Sequence, residues 1–218
     1  MNVIWDFNGT ILDDVQLCVD CCNRLTAEYG LPPVDGADRY RELFCFPVID
    51  YYRKLGFDFD RIPYEIPANR WVEFYLENEH TAPIREGVAE TLEEIRRRGH
   101  FQAVLSASEE NMLRGQLERL GALDYFDEIY GRNDVYAGGK PELAGKWLLR
   151  HAGEESVLIG DTLHDAECAE IIGCHCVLVR GGHVLLDGDY GPGVTVVDSP
   201  SGIIPAIEEK FASFSANG

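Results

Sequence analysis

The chain has 218 residues and carries 38 acidic against 19 basic side chains, a formal net charge of −19. Such a surface repels nucleic acid and anionic membranes, so a bound anion needs a metal or a few well-placed cations. A composition of 45% hydrophobic and 26% charged residues is that of a globular protein, long enough for one core or a core with a small insert.

The first element is the apolar run Val3-Ile4-Trp5, read as a buried strand that delivers Asp6 to its C-terminal tip. Asn8-Gly9 then turns the chain and exposes backbone N–H groups beside that carboxylate. The alternative use of Asp6 is to cap this turn. A strand starting so early leaves no room for a signal peptide, and no apolar run reaches the length of a membrane span. The seven cysteines at irregular spacings suit reduced thiols rather than a disulfide framework. Together these features predict a cytoplasmic protein with no nucleic-acid or membrane partner.

Val15 to Tyr29 has helical spacing, an acidic start at Asp13-Asp14 and a stop at Gly30. Cys18, Cys21 and Cys22 lie on this helix. No second Cys or His pair stands at ligand spacing, so they are expected to be buried small side chains. Residues 35 to 81 read as helical throughout, with helices over Asp38–Phe44, Pro47–Leu55 and Pro67–Glu79. Aromatics recur on them at helical intervals: Tyr40 with Phe44, Tyr51 with Leu55, and Trp71 with Phe74 and Tyr75. Arg41, Phe44, Tyr51 and Arg53 are equally well read as ligand contacts or as core and surface of this helical segment.

From Pro83 onward helix and strand alternate. The expected elements are a helix over Gly87–Arg98, a strand over Phe101–Leu105 ending at Ser106, and a helix over Glu109–Leu120. A strand over Phe126–Tyr130 and a helix opened by Gly138-Gly139-Lys140-Pro141 come next. They are followed by a strand over Val157–Gly160 ending in Asp161, a helix over Asp165–Ile172, strands over Cys176–Val179 and Val194–Val197, and a last helix from Gly202 to Phe214. Alternation of this kind argues for an α/β fold, a parallel sheet with helices on both faces, to which the first strand also belongs. Residues 1–13 and 83–218 are therefore expected to form the core, and 14–82 a helical subdomain inserted into it.

Four polar groups fall at the ends of separate elements: Asp6, Ser106, Lys140 and the pair Asp161/Asp165. The C-terminal edge of one parallel sheet brings such groups together. Gathered carboxylates repel unless a cation sits among them, and oxygen-only ligands select a hard ion such as Mg²⁺. A Ser hydroxyl and a Lys ammonium can hold phosphate oxygens, and a carboxylate can attack phosphorus in line. Each residue also has a plain structural use. Ser106 and Ser108 are good N-caps, with capping-box spacing from Ser106 to Glu109, and Asp161 or Asp165 can cap the helix that follows. Lys146 competes for the role of Lys140.

On these residues the chain resembles the haloacid dehalogenase superfamily, in particular its phosphoglycolate-phosphatase-like members with a helical cap after the first motif. Asp6-Phe7-Asn8-Gly9-Thr10 matches the family's Asp-x-Asp-Gly-Thr, Ala103-Val104-Leu105-Ser106 its apolar strand ending in Ser or Thr, Lys140-Pro141 its lysine motif, and Gly160-Asp161-Thr162-Leu163-His164-Asp165 its Gly-Asp-x-x-x-Asp. The resemblance implies a three-layer, Rossmann-like core with the cap spanning 14–82, and a Mg²⁺-dependent phosphatase acting on a small phosphorylated metabolite. It implies Asp6 as nucleophile and metal ligand, metal ligation by the Asn8 backbone carbonyl, Asp161 and Asp165, and phosphate binding by Gly9, Ser106, Ala107 and Lys140. One departure stands out. The family's second aspartate, its acid/base group, is Asn8 here, and an amide neither gives nor takes a proton at neutral pH. His164 and Asp13 are the nearest titratable substitutes in sequence. The other reading is a phosphate-ligand binding or regulatory module on a weakened enzyme scaffold.

Overall fold

The computed structural model describes residues 1–132 and 139–215. Gly138, named above at a helix start, lies outside them. Six parallel strands form one sheet in the order β3-β2-β1-β4-β5-β6, with β1 at Asn2–Trp5, β2 at Phe101–Glu109, β3 at Glu128–Arg132, β4 at Ser156–Gly160, β5 at His175–Val179 and β6 at Val194–Val197. This is the α/β parallel sheet expected from the alternating pattern. Val3, Ile4, Trp5, Val157, Ile159, Val177 and Leu178 are fully buried, as strands covered on both faces must be, which is why they read as continuous apolar runs.

The chain divides into two compact units: Met1–Leu12 with Ile84–Gly182 and Leu186–Gly218, and Asp13–Pro83 with His183–Leu185. In the first, α6 (Glu110–Arg119), α7 (Lys140–Arg150) and α8 (Leu163–Ile172) pack on strands β2 to β5, while α5 (Val88–Arg97) and α9 (Ile203–Lys210) pack on one another and on β2, β5 and β6. The second consists of α1 (Val15–Glu28), α2 (Gly36–Leu43), α3 (Val48–Lys54) and α4 (Glu65–Asn78). Its core is aromatic: Tyr40 stacks on Phe44 at 5.4 Å between ring centroids, Tyr51 meets Tyr40 edge-on at 5.8 Å, and Phe74 is fully buried. Cys18, Cys21 and Cys22 are buried on α1, and the Cys22 sulfur sits 2.9 Å from the Tyr51 hydroxyl. Among the described residues no helix is long and apolar enough to cross a membrane.

Four local expectations need correcting. Strand β2 does not stop at Ser106 but continues, with a shift of register after Leu105, to pair Glu109 with Arg132. Helix α6 is consequently capped by Glu109, whose carboxylate accepts from the Asn111 and Met112 N–H groups at 3.1 and 2.9 Å, and not by Ser106 or Ser108. The last helix is interrupted at Phe211, where extended backbone separates α9 from α10 (Ala212–Ser215). Asp14 stands at the N-cap of α1, yet its carboxylate makes no cap hydrogen bond. It turns instead to tyrosine and histidine partners within the helical unit.

Candidate functional site

Strands β1 and β4 are neighbours at the centre of the sheet, where the strand order reverses. That reversal opens a crevice outside the carboxyl ends of the strands. Trp5 pairs with Ile159, and the Asp6 N–H donates to the Ile159 carbonyl at 2.8 Å. The register thus carries Asp6 alongside Gly160, next to Asp161, with each aspartate one step beyond its strand. Asp165 reaches the same place from the first turn of α8. Its Oδ2 accepts from the Thr162 N–H at 2.9 Å, the Thr162 hydroxyl at 2.9 Å and the Asp161 N–H at 3.2 Å. It is thus both helix cap and site member. Gly160 and Gly182 permit this crowding: a Cβ on Gly160 would collide with the Asp165 carboxylate, and one on Gly182 with that of Asp161.

Lys140, the first residue of α7, lies between two of these acids. Its Nζ donates to Asp6 Oδ1 at 2.5 Å and also to Asp165 Oδ1. Thr10 Oγ1 is 3.3 Å from Asp6 Oδ2 and 3.2 Å from Asp161 Oδ1. All of these side chains are buried, Asp161 and Asp165 completely. Burial pushes the Asp6 carboxyl well above the usual carboxylate range; Lys140 pulls it down, while Asp165 and Asp161 add to the rise. Burial disfavours the Lys140 charge, but Asp165 and Asp6 more than offset it and hold the ammonium above its ordinary value. Three carboxylates with one ammonium leave surplus negative charge, and ligand oxygens of Asp6, Asp161 and Asp165 lie within 4.8 Å of one another. An oxygen-only set of this kind fits a hard divalent cation.

The remaining predicted residues frame this centre. Asn8 Oδ1 accepts from the Ser108 hydroxyl at 3.1 Å, and Ser106 Oγ accepts from the Ser108 N–H at 3.1 Å. Ser106 is buried, and Ala107 beside it is exposed. Gly9 takes φ 73° in the turn; its N–H donates to the Leu12 carbonyl at 3.0 Å, and its own carbonyl accepts from Arg85 at 2.9 Å. Arg85 also donates to the Arg180 carbonyl at the end of β5. His164 points its Nε2 to Glu167 at 3.8 Å, and Asp13 is exposed. Lys146 pairs with Glu142 and does not compete with Lys140. In the helical unit Arg41 pairs with Asp38, Arg53 pairs with Asp50, and Phe44 and Tyr51 belong to the aromatic core. Thr10, Ser108, Arg85 and Gly182 were missed as site residues. Only Thr10 carried a signal, its place in the Asp-x-Asn-Gly-Thr run.

A buried Asp–Lys–Asp centre at the switch point of a parallel sheet marks the ligand site of an open α/β fold. The sequence profile of haloacid dehalogenase-like hydrolases matches residues 3–179, and the chain belongs to that family. Among curated relatives it is 25% identical to a phosphoglycolate phosphatase of Aquifex aeolicus, covering 97% of this chain and 99% of that one. It is 26% identical to the tyrosine-protein kinase PtkA of Mycobacterium bovis, covering 89% and 67%. Among solved structures, a haloacid dehalogenase-like hydrolase, SP0104 of Streptococcus pneumoniae, superposes with a TM-score of 0.79 at 19% identity over 94% of this chain and 97% of that one.

Proposed function

We propose that the chain hydrolyses small phosphomonoesters through attack of Asp6 on phosphorus. The observation that carries this reading is the buried contact of Asp6 with Lys140, beside Asp161 and Asp165, at the carboxyl edge of β1 and β4. The phosphatase-named relative agrees with it. Asp6 donates an oxygen lone pair to phosphorus as the ester P–O bond breaks, and the leaving oxygen keeps the bonding pair. Lys140 offsets the charge of the transferring group while holding Asp6 in place. The Ser106 hydroxyl and the adjacent Ala107 backbone N–H bind phosphate oxygens. Water then attacks the same phosphorus, gives its proton to solvent and returns Asp6 as carboxylate with inorganic phosphate. A divalent cation such as Mg²⁺, held by Asp6, the Asn8 carbonyl, Asp161 and Asp165, supplies charge neutralisation when bound. Gly9 enters as the residue that forms the turn.

Asn8 shapes the reaction. Its amide can orient water or a phosphate oxygen but transfers no proton. Release of an alkoxide is therefore slow, and so is activation of water against the phosphorylated Asp6. Substrates whose leaving groups are stable anions, acyl and aryl phosphates, are turned over fastest. The test is a panel of phosphorylated compounds of graded leaving-group pKa, assayed with and without Mg²⁺ on wild type and Asn8→Asp, after peptide mapping has excluded deamidation at Asn8-Gly9. The expected result is a steep dependence of kcat/KM, which reports transfer to Asp6 and not the later hydrolysis, in wild type that flattens in Asn8→Asp, with alkyl phosphates gaining about 10²-fold. A wild-type dependence as flat as the variant's overturns the role given to Asn8. Asn8 also favours a second reading, a phosphate-binding module; phosphate compounds bound without turnover across the whole panel would select it.

A further inference from the structure

A second cluster of ligating side chains lies entirely within the helical unit. Asp14 and Cys18 stand one turn apart on α1, and His183 comes from the short segment after β5 that groups with these helices. All three are buried. His183 Nε2 is 3.1 Å from Asp14 Oδ1, and Cys18 Sγ is 3.9 Å from Asp14 Oδ2. One ligand atom from each residue lies within 4.8 Å of the other two.

We propose that Asp14, Cys18 and His183 form a metal site for a borderline-soft divalent cation of the Zn²⁺ class. The donor set decides the class, because imidazole nitrogen and thiolate sulfur prefer Zn²⁺ and its transition-metal neighbours, whereas Mg²⁺ prefers oxygen alone. The 3.1 Å between nitrogen and oxygen is close to the edge of a tetrahedron whose ligands stand about 2.0–2.1 Å from the ion. Charge also balances: one thiolate and one carboxylate neutralise a divalent cation, and the imidazole is neutral. Binding would release the Cys18 thiol proton to solvent.

The outer partners of such a site are already built. The Tyr40 hydroxyl sits 3.0 Å from His183 Nδ1, where its oxygen can accept a hydrogen bond from Nδ1–H, the tautomer that presents the Nε2 lone pair to the ion. The Tyr75 hydroxyl donates to Asp14 Oδ2 at 2.9 Å, and Oδ1, which faces His183 Nε2, is the oxygen an ion between them would take. Second partners of this kind fix the tautomer and orientation of metal ligands. The stretch matched by the family profile ends at residue 179, before His183. The spacing of the cysteines points away from a metal, and it is the remote histidine together with Asp14 that completes the set. A bound ion would tie the 183–185 segment to α1.

The experiment is a Co²⁺ titration of the full chain, stripped with chelator and held in excess Mg²⁺ so that oxygen-only sites are occupied. The expected result is a single equivalent bound with a near-ultraviolet sulfur-to-cobalt charge-transfer band, displaced by Zn²⁺. Cys18→Ser and His183→Gln, both close in size to the native residues, should each abolish the band, and Cys21→Ser should keep it. Tyr40→Phe should weaken binding about tenfold. Zn²⁺ should raise the thermal midpoint of wild type and Cys21→Ser but not of Cys18→Ser. Absence of the band in wild type overturns the proposal, as does a band that survives either Cys18→Ser or His183→Gln.

Discussion

Asp6 and Asp14 follow one another closely in sequence and are both buried, at 7% and 1% exposure, yet their surroundings differ in kind. Asp6 meets two further carboxylates, an ammonium and a hydroxyl. Asp14 meets two neutral donors, a thiol and a tyrosine hydroxyl, and a histidine. The first cluster holds more negative charge than its own side chains can neutralise, which suits a hard cation. The second is satisfied by its own hydrogen bonds, and its mixed donors suit a softer ion. Burial of a carboxylate therefore marks no function by itself; the charge and the donor types around it separate the two roles.

The sharpest way to break this contrast is to remove Lys140. Lys140→Met leaves Asp6 and Asp165 buried without their ammonium, and breaking a buried pair from one side costs about 3–5 kcal/mol. Thermal or denaturant unfolding should show that loss, and added Mg²⁺ should recover part of it. A variant as stable as wild type would mean that the cluster is not held together by charge. A smaller effect is expected of Asp14→Asn, which keeps the shape but turns an acceptor of several hydrogen bonds into a mixed donor and acceptor. We expect about 1–3 kcal/mol, with no recovery by Mg²⁺; recovery by Mg²⁺ would erase the distinction between the clusters.

The smallest effect comes from a carboxylate–histidine group that is partly solvated. His151 reaches Glu128 at 3.0 Å and Glu154 at 3.1 Å. Burial alone would lower its pKa, but the two glutamates prevail and raise it. A histidine whose folded pKa is raised adds stability that is fully present below its unfolded value of about 6.5 and is lost as pH rises through the folded value. His151→Gln should therefore lower stability by less than about 1 kcal/mol in mildly acidic buffer and not at all in alkaline buffer. A deficit independent of pH would assign His151 a packing role, through its stacking on Trp147 at 3.8 Å.

Much of this was readable in the chain. The fully buried strands announce themselves as apolar runs, and Gly30, Gly99, Gly121 and Gly173 end helices where the spacing stops. Asp6, Lys140, Asp161 and Asp165 could be brought together because each ends a strand or opens a helix, and one sheet edge gathers them. What was hidden depends on partners far apart or on shape. Asp14 looks like a helix cap until His183, 169 positions on, is seen beside it. Gly182 matters only because Asp161 lies against it. Strand β2 runs past Ser106 because Glu109 pairs with Arg132 and caps α6 itself, a choice that local spacing cannot distinguish from a serine cap.

The central claim is that Asp6 takes the phosphoryl group, and the direct test is to trap it there. Wild type is mixed briefly with radiolabelled acetyl phosphate and Mg²⁺, quenched in acid, digested with trypsin and mapped by mass spectrometry. With Asn8 unable to activate water, the phosphorylated enzyme should accumulate. The label should lie on Asp6 in the peptide Met1–Arg24, and Asp6→Asn should carry none. Label on another residue, or phosphate released by wild type with no labelled Asp6 at any time point, would contradict the account.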